Sequence, residues 1–205
     1  PTIKARDAAT VEYKLIARKN GRVTAAAFEG TPGVNGAFVL RTGIGDHNVF
    51  RENSTVHSAT SDGDATIIGS HNHFLAYTHI AHDCRVGSHV VISNVGTLAG
   101  HVLVEDYAVI GGLAAVHQFC RIGRMAIVGG CAKVVQDVPP FMLADGNPAE
   151  TKALNKVGLE RNGVSEEAQA ALKKAHKILF RDGMTLANAL LKIAAELPPL
   201  PEIQH

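Results

Sequence analysis

Residues 68–104, IGSHNHFLAYTHIAHDCRVGSHVVISNVGTLAGHVLV, carry the pattern that decides the fold. Read in steps of six, they place a large apolar residue at every step, and the run continues beyond them: Ile68, Phe74, Ile80, Val86, Ile92, Leu98, Val104, Ile110, Val116, Ile122, Val128 and Val134. If roughly 35% of positions were apolar, chance would supply such a run about three times in a million. The same phase extends upstream through Ile44, Phe50 and Val56 and fails at Asp62. A residue that is often glycine or alanine follows the apolar one (Gly69, Ala81, Gly87, Ala99, Gly111, Gly123, Gly129), and a small or modest side chain lies four after it (Thr78, Cys84, Val90, Gly96, Ala108, Ala114, Cys120). A period of six suits neither an amphipathic helix nor an alternating strand. It suits a mainly β fold, a single-stranded left-handed parallel β-helix of triangular section. Three hexapeptides make each coil, aliphatics fill the prism, and glycine is expected to relax the corners. Coils then stack at the ordinary strand spacing of ~4.8 Å.

Working outward, the first 43 residues keep the phase poorly. Ala25–Gly33 reads as a loop leaving the prism, and Ser61-Asp62-Gly63-Asp64 as a second excursion. Beyond Val138-Pro139-Pro140 the period changes. Ser165 is a good N-cap, followed by Glu166 and Glu167 in a first turn where carboxylates favour the helix dipole. Ala168, Ala171, Leu172, Ala175, Ile178 and Leu179 then form a stripe at helical spacing that ends near Gly183. A second helix is expected from Thr185 until just before Pro198-Pro199. The expected organisation is a β-helix over 1–140, with 1–43 irregular or truncated, and a small α-helical appendage over 141–205.

Composition bounds the function. Hydrophobic residues make up 46% but aromatics only 5%, with 20 glycines, which fits strands joined by tight corners. Lys and Arg total 20 against 19 Asp and Glu, so bulk charge gives no support to nucleic-acid binding. The cysteines Cys84, Cys120 and Cys131 are odd in number and lack a CxxC, which argues against a disulfide framework and fits a reducing compartment. Cys84 and Cys120 share the small inward position and read as buried hydrophobes. No apolar run of ~18 residues suggests a membrane span, and Pro1-Thr2-Ile3-Lys4 lacks a signal-peptide pattern, so a cytoplasmic location is expected.

Eleven histidines are a high count. His79, His82, His101 and His117 fall in one narrow sector of successive coils, as a cleft along the prism would need, and imidazole acts as a general base near neutral pH with little tuning. His47, His57, His71, His73 and His89 read as decoration of a polar wall, and no chemistry is read at His176 or His205.

The segments around these histidines, His79-Ile80-Ala81-His82-Asp83-Cys84, Leu98-Ala99-Gly100-His101, Gly111-Gly112 and Val116-His117-Gln118-Phe119, closely resemble the bacterial UDP-N-acetylglucosamine acyltransferases that begin lipid A synthesis, a family of hexapeptide-repeat transferases. So do Gly129-Gly130-Cys131, Gln136-Asp137-Val138-Pro139-Pro140 and Gly146-Asn147, and the resemblance runs from about Ile44 to the C-terminus. It implies transfer of a 3-hydroxyacyl chain from the phosphopantetheine of acyl carrier protein to the 3-position of UDP-GlcNAc. It implies no other cofactor and no metal, and a homotrimer with clefts shared between adjacent prisms. On the same basis His82 is the general base, Asp83 its support and Gly100 the backbone donor to the oxyanion. His79, His101, Gly112, His117, Gln118, Asn155 and Arg161 bind substrate, and Gly130 leaves open the groove that measures the acyl chain. Lys152, Lys156, Lys173, Lys174, Lys177 and Arg181 would form a basic face for the acidic carrier protein. Three features depart from the family pattern: Asn162 stands where many members have Arg, Pro148 replaces a His, and the upstream Asp loop has no clear counterpart before Gly30.

Three other readings are compatible with the residues. A related N-acyltransferase would act on a UDP-3-amino sugar with the same base. A zinc enzyme like the γ-carbonic anhydrases would use His79, His82 and His101 as ligands. A non-enzymatic scaffold would only bind acyl carrier protein.

Overall fold

The computed structural model of the protein describes residues 42–61 and 63–205, together with the backbone of the strand pieces Glu12–Tyr13, Arg22–Val23 and Ala26–Ala27. Asp62 and most of the irregular first 43 residues, including nearly all of Ala25–Gly33, lie outside that description. The chain winds as a parallel β-solenoid whose coils cross three faces. Face 1 stacks Thr42–Ile44, Thr66–Ile68, Arg85–Val86, Leu103–Val104 and Arg121–Ile122. Face 2 stacks Asn48–Phe50, His73–Phe74, Val91–Ile92, Val109–Ile110, Ile127–Val128 and Met142–Gly146. Face 3 stacks Thr55–His57, His79–Ile80, Thr97–Leu98, Ala115–Val116 and Lys133–Val134. The three strand pieces before residue 42 add antiparallel at one end.

Register follows the six-residue phase. Ile68, Val86, Val104 and Ile122 pair in succession on face 1, and Ile80, Leu98, Val116 and Val134 on face 3. These side chains fill one continuous core; Phe74, Ile92, Leu98, Ile110 and Ile122 are wholly buried. Each contributes ~1.5–3 kcal/mol by leaving water. The small residues four positions on, Cys84 and Cys120 among them, are buried beside them as free thiols.

The corners are built differently from the expectation. The chain turns three residues after each apolar position, where every sixth residue from His71 to Cys131 has φ between 52° and 67° and none is glycine. The left-handed conformation costs ~1–2 kcal/mol at an L residue. It persists because each turning N–H donates to the coil before, as from His89 to Ser70 O (3.0 Å), Val95 to Ala76 O (2.9 Å) and His101 to His82 O (3.0 Å). The glycines after the apolar position answer a packing demand instead. A Cβ at Gly69 would lie 2.6 Å from Gly87 O, and one at Gly111 2.6 Å from Gly130 N, so stacking rather than backbone freedom selects glycine there.

Two irregularities interrupt the period. Thr42 pairs with Thr66 and Thr55 with His79, a spacing of 24 residues where later coils use 18, so one hexad around residues 57–65 loops out. At the other end Ile122 bridges Val138 and Val128 pairs with Ala144, a spacing of 16. This shortened coil leads into a hairpin, Met142–Gly146 with Ala149–Leu154.

Helices follow: α1 (Lys156–Arg161), α2 (Glu166–Phe180), α3 (Leu186–Glu196) and α4 (Pro201–Gln204). Ser165 and Thr185 cap α2 and α3 through side-chain oxygens that accept from Ala168 N and Asn188 N. The expected stripe of α2 is buried at Ala168, Ala171, Leu172, Ala175 and Ile178. Leu172 and Leu159 pack with Met125 and Phe141, which fixes the helices to the last coils. Among the described residues no helix is long and apolar enough to cross a membrane.

Candidate active site

Where face 3 turns into face 1, the strand His79–Ile80 delivers His82 and Asp83 to the corner. Asp83 takes the left-handed turning position (φ 60°), its N–H bonded to Thr66 Oγ1 at 2.8 Å. Its carboxylate, only 7% exposed, accepts from Thr60 Oγ1 at 2.8 Å, from Thr60 N–H at 3.3 Å and from His82 Nδ1 at 2.8 Å. Burial pushes the Asp83 carboxyl up, but the bonds from His82 and Thr60 and the nearby His101 outweigh it, and the group lies below its ordinary value. Asp83 is therefore a carboxylate at neutral pH. A carboxylate only accepts, so His82 Nδ1 carries the proton and Nε2 presents a lone pair.

His82 is 37% exposed and rests against Gly100. A Cβ at position 100 would stand 2.5 Å from His82 Cε1 and 2.7 Å from Nε2, so only glycine admits the ring. Among the described residues no acceptor takes the Gly100 N–H. His101 meets the His82 ring edge-on at 5.3 Å, points Nε2 at Asp83 from 3.7 Å, and stacks on Phe119 at 4.8 Å. His79 bonds Thr55 Oγ1 through Nδ1 at 2.7 Å and lies 4.6 Å from the His57 ring. Burial first, then the charges of His57 and His82, holds its imidazole below the ordinary histidine value. His117 and Gln118 project from the same corner in the next coils, exposed, with His117 Nδ1 donating to Gln118 O at 3.2 Å.

Gly112 and Gly130 lie elsewhere. They occupy the corner between faces 2 and 3, where a Cβ at 112 would be 3.4 Å from Asn94 O and one at 130 would be 3.4 Å from Gly112 O. This side-chain-free track runs beside exposed Tyr77, Val95 and Leu113. Arg161 is exposed in the last turn of α1, away from the histidines in sequence and element.

Asn155, expected to contact substrate, is buried. It caps α1 by accepting from Gly158 N at 3.0 Å and donates to Met125 O at 2.8 Å, so its amide joins the appendage to the solenoid. Of the departures from the family pattern, Asn162 closes α1 by donating to Gly158 O, and Pro148 stands in the hairpin turn. The zinc reading needs His79, His82 and His101 to converge. Instead the donors that gather within 4.8 Å are His82, Asp83 and His101, while His79 Nδ1 is turned to Thr55.

Sequence reasoning missed Thr60 and Thr66. Thr60 belongs to the looped-out hexad, where no repeat phase locates a side chain. Thr66 looks in sequence like any polar strand residue.

A family model described as UDP-N-acetylglucosamine O-acyltransferase, domain 2, matches residues 137–205. The acyl-[acyl-carrier-protein]–UDP-N-acetylglucosamine O-acyltransferase of Thermodesulfovibrio yellowstonii is 54% identical over 163 residues, 79% of this chain and 63% of that protein. The protein of the same name from Thiobacillus denitrificans is 48% identical, over 80% of this chain and 64% of its own length. Among solved structures, LpxA from Acinetobacter baumannii superposes with a TM-score of 0.76 at 39% identity, covering 80% of this chain and 64% of that one. The chain thus spans somewhat under two thirds of the length of the curated relatives it matches. Over the region that matches, it is similar to the UDP-N-acetylglucosamine O-acyltransferases.

Proposed function

We propose that the protein transfers a 3-hydroxyacyl chain from acyl carrier protein to the 3-hydroxyl of UDP-GlcNAc, the first step of lipid A synthesis. One observation carries the reading: an imidazole fixed by a buried carboxylate, with Nε2 free, against a glycine whose N–H is unclaimed. Nε2 of His82 takes the proton from the sugar hydroxyl as that oxygen attacks the thioester carbonyl. Asp83 holds the tautomer and stabilises the imidazolium that forms. The oxyanion of the tetrahedral intermediate accepts from Gly100 N–H, a contribution of ~3 kcal/mol in comparable sites. The thiolate of the phosphopantetheine arm then leaves, protonated by His82. No covalent enzyme intermediate is needed, and alignment by His79, His101, His117 and Gln118 supplies the rest.

Homotrimeric assembly follows from the same reading. His82 and the Gly112–Gly130 track lie on two different corners of one chain, so they can line a single cleft only if neighbouring prisms meet. Lys173, Lys174, Lys177 and Arg181 are exposed on α2, and with Lys156 at α1 they suit an acidic carrier protein. Such a substrate would place the enzyme in the cytoplasm. Arg161 could reach a nucleotide phosphate from the appendage.

Incubating the protein with 3-hydroxyacyl carrier protein and either UDP-GlcNAc or its 3-amino analogue, then weighing the sugar product, tests the proposal. Ester on the first sugar is expected. Amide on the second alone would make it an N-acyltransferase, and no product across several chain lengths would leave a binding scaffold. Gly130→Met should shorten the preferred acyl chain; unchanged preference would reject the ruler.

A further inference from the structure

We infer that His82, Asp83 and His101 also form a reversible inhibitory site for a divalent transition-metal ion of the zinc class. The inference rests on His82 being the base. One donor atom from each of the three residues lies within 4.8 Å of the others, and His82 Nδ1 and His101 Nε2 stand 2.8 Å and 3.7 Å from Asp83 Oδ2. Zinc bonds of ~2.0–2.2 Å set tetrahedral donors ~3.3–3.6 Å apart, between those two spacings. Two imidazoles and one carboxylate suit zinc, cobalt, nickel or copper, whereas magnesium and calcium favour oxygen alone. The supporting shell exists already: Thr60 donates twice to the Asp83 carboxylate and orients it. The imidazoles are 37% and 41% exposed, which admits an ion and leaves room for water as a further ligand.

Capture would silence the base without removing a proton. In the working tautomer the ring proton is on Nδ1 and the lone pair on Nε2. A metal on Nδ1 displaces that proton to Nε2, where the sugar hydroxyl would have delivered its own. The ring stays neutral and can no longer accept. Release of the ion restores it. The stacked His47, His71 and His89 are poor competitors. Among the described residues they do not gather their donor atoms into a group that one ion could take, and no carboxylate joins them.

Calorimetric titration of zinc into substrate-free protein tests the site, on wild type, His82→Ala, His101→Gln and His71→Ala, with circular dichroism confirming that each is folded. One ion per chain is expected, weakened at least about tenfold in the His82 and His101 variants and unchanged in His71→Ala. Zinc should also abolish transfer by the wild type, and EDTA should restore it. Affinity surviving both site variants, or full activity with zinc bound, overturns the inference. Zinc binding by a protein without transferase activity would sink the proposed function and leave the metal site standing. Transfer by a protein that takes up no zinc would do the reverse.

Discussion

Two corners of the prism share a backbone and differ in chemistry. Between faces 1 and 2, His47, His71, His89 and Tyr107 occupy successive left-handed turning positions and stack, the last two pairs within 3° of parallel. Between faces 3 and 1 the same positions hold Asp83, His101 and Phe119, and the His82 ring stands at 87° to that of His101. The residue before the turn differs as well. At the stacked corner three of these N–H groups are capped by the next coil: Asp46 by Ser70 Oγ, Ser70 by Ser88 Oγ, Ser88 by Asp106 Oδ1. At the other corner Gly100 keeps its N–H open. A high histidine count is therefore not the signature of chemistry in this wall. What sets the proposed site apart is an acid in the turning position, Asp83, that fixes the neighbouring imidazole.

The contrast can be broken experimentally. His82→Ala should lower turnover by ~10²–10⁴-fold while His71→Ala leaves it within about twofold; equal losses in a transfer assay would erase the distinction between the corners. Next in size, Gly69→Ala at the stacked corner should cost ~1–3 kcal/mol by overpacking against the coil above, measured by denaturant midpoint. Gly112→Ala at the third corner, where the new methyl meets nothing closer than 3.4 Å, should be neutral or stabilising by up to ~1 kcal/mol. Thr60→Val removes a bond to the buried carboxylate and should reduce kcat about tenfold, with KM for the sugar nearly constant. A rise in KM alone would mean that Thr60 binds substrate instead of orienting Asp83.

The smallest effect concerns pH. The fold favours neutral His79, so its contribution to stability is complete above the unfolded-state value of ~6.5 and is lost as pH falls through the lower folded value. The melting-temperature gap between wild type and His79→Gln should narrow on acidification through that window. A constant gap would show that burial does not bias the ring.

The solenoid was legible because its core obeys one strict rule: a missing aliphatic at any sixth position would leave a void through neighbouring coils. Ser165 and Thr185 were legible for a local reason, since a cap needs only its own first turn. The glycines misled because a sequence reports that a side chain is absent, not which clash forbids it. The hairpin escaped because the coil before it shortens from 18 residues to 16 and the phase stops. His82 and Asp83 could be named in advance, but their partner Thr60 comes from a segment with no repeat. Asn155 matched a family position, yet the role its buried amide plays in this chain depends on Met125, 30 residues away.

The looped-out hexad has an evolutionary corollary. Because Thr42 and Thr66 still pair in phase across a gap of 24, extra chain can enter this wall in whole multiples of six and every later aliphatic remains inside. An insertion of one or two residues, unless confined to a corner loop, would rotate all downstream side chains out of place. Along the faces length comes in hexads, a corner absorbs smaller changes as before Val138, and Thr60 shows a surplus hexad bringing a hydroxyl to Asp83.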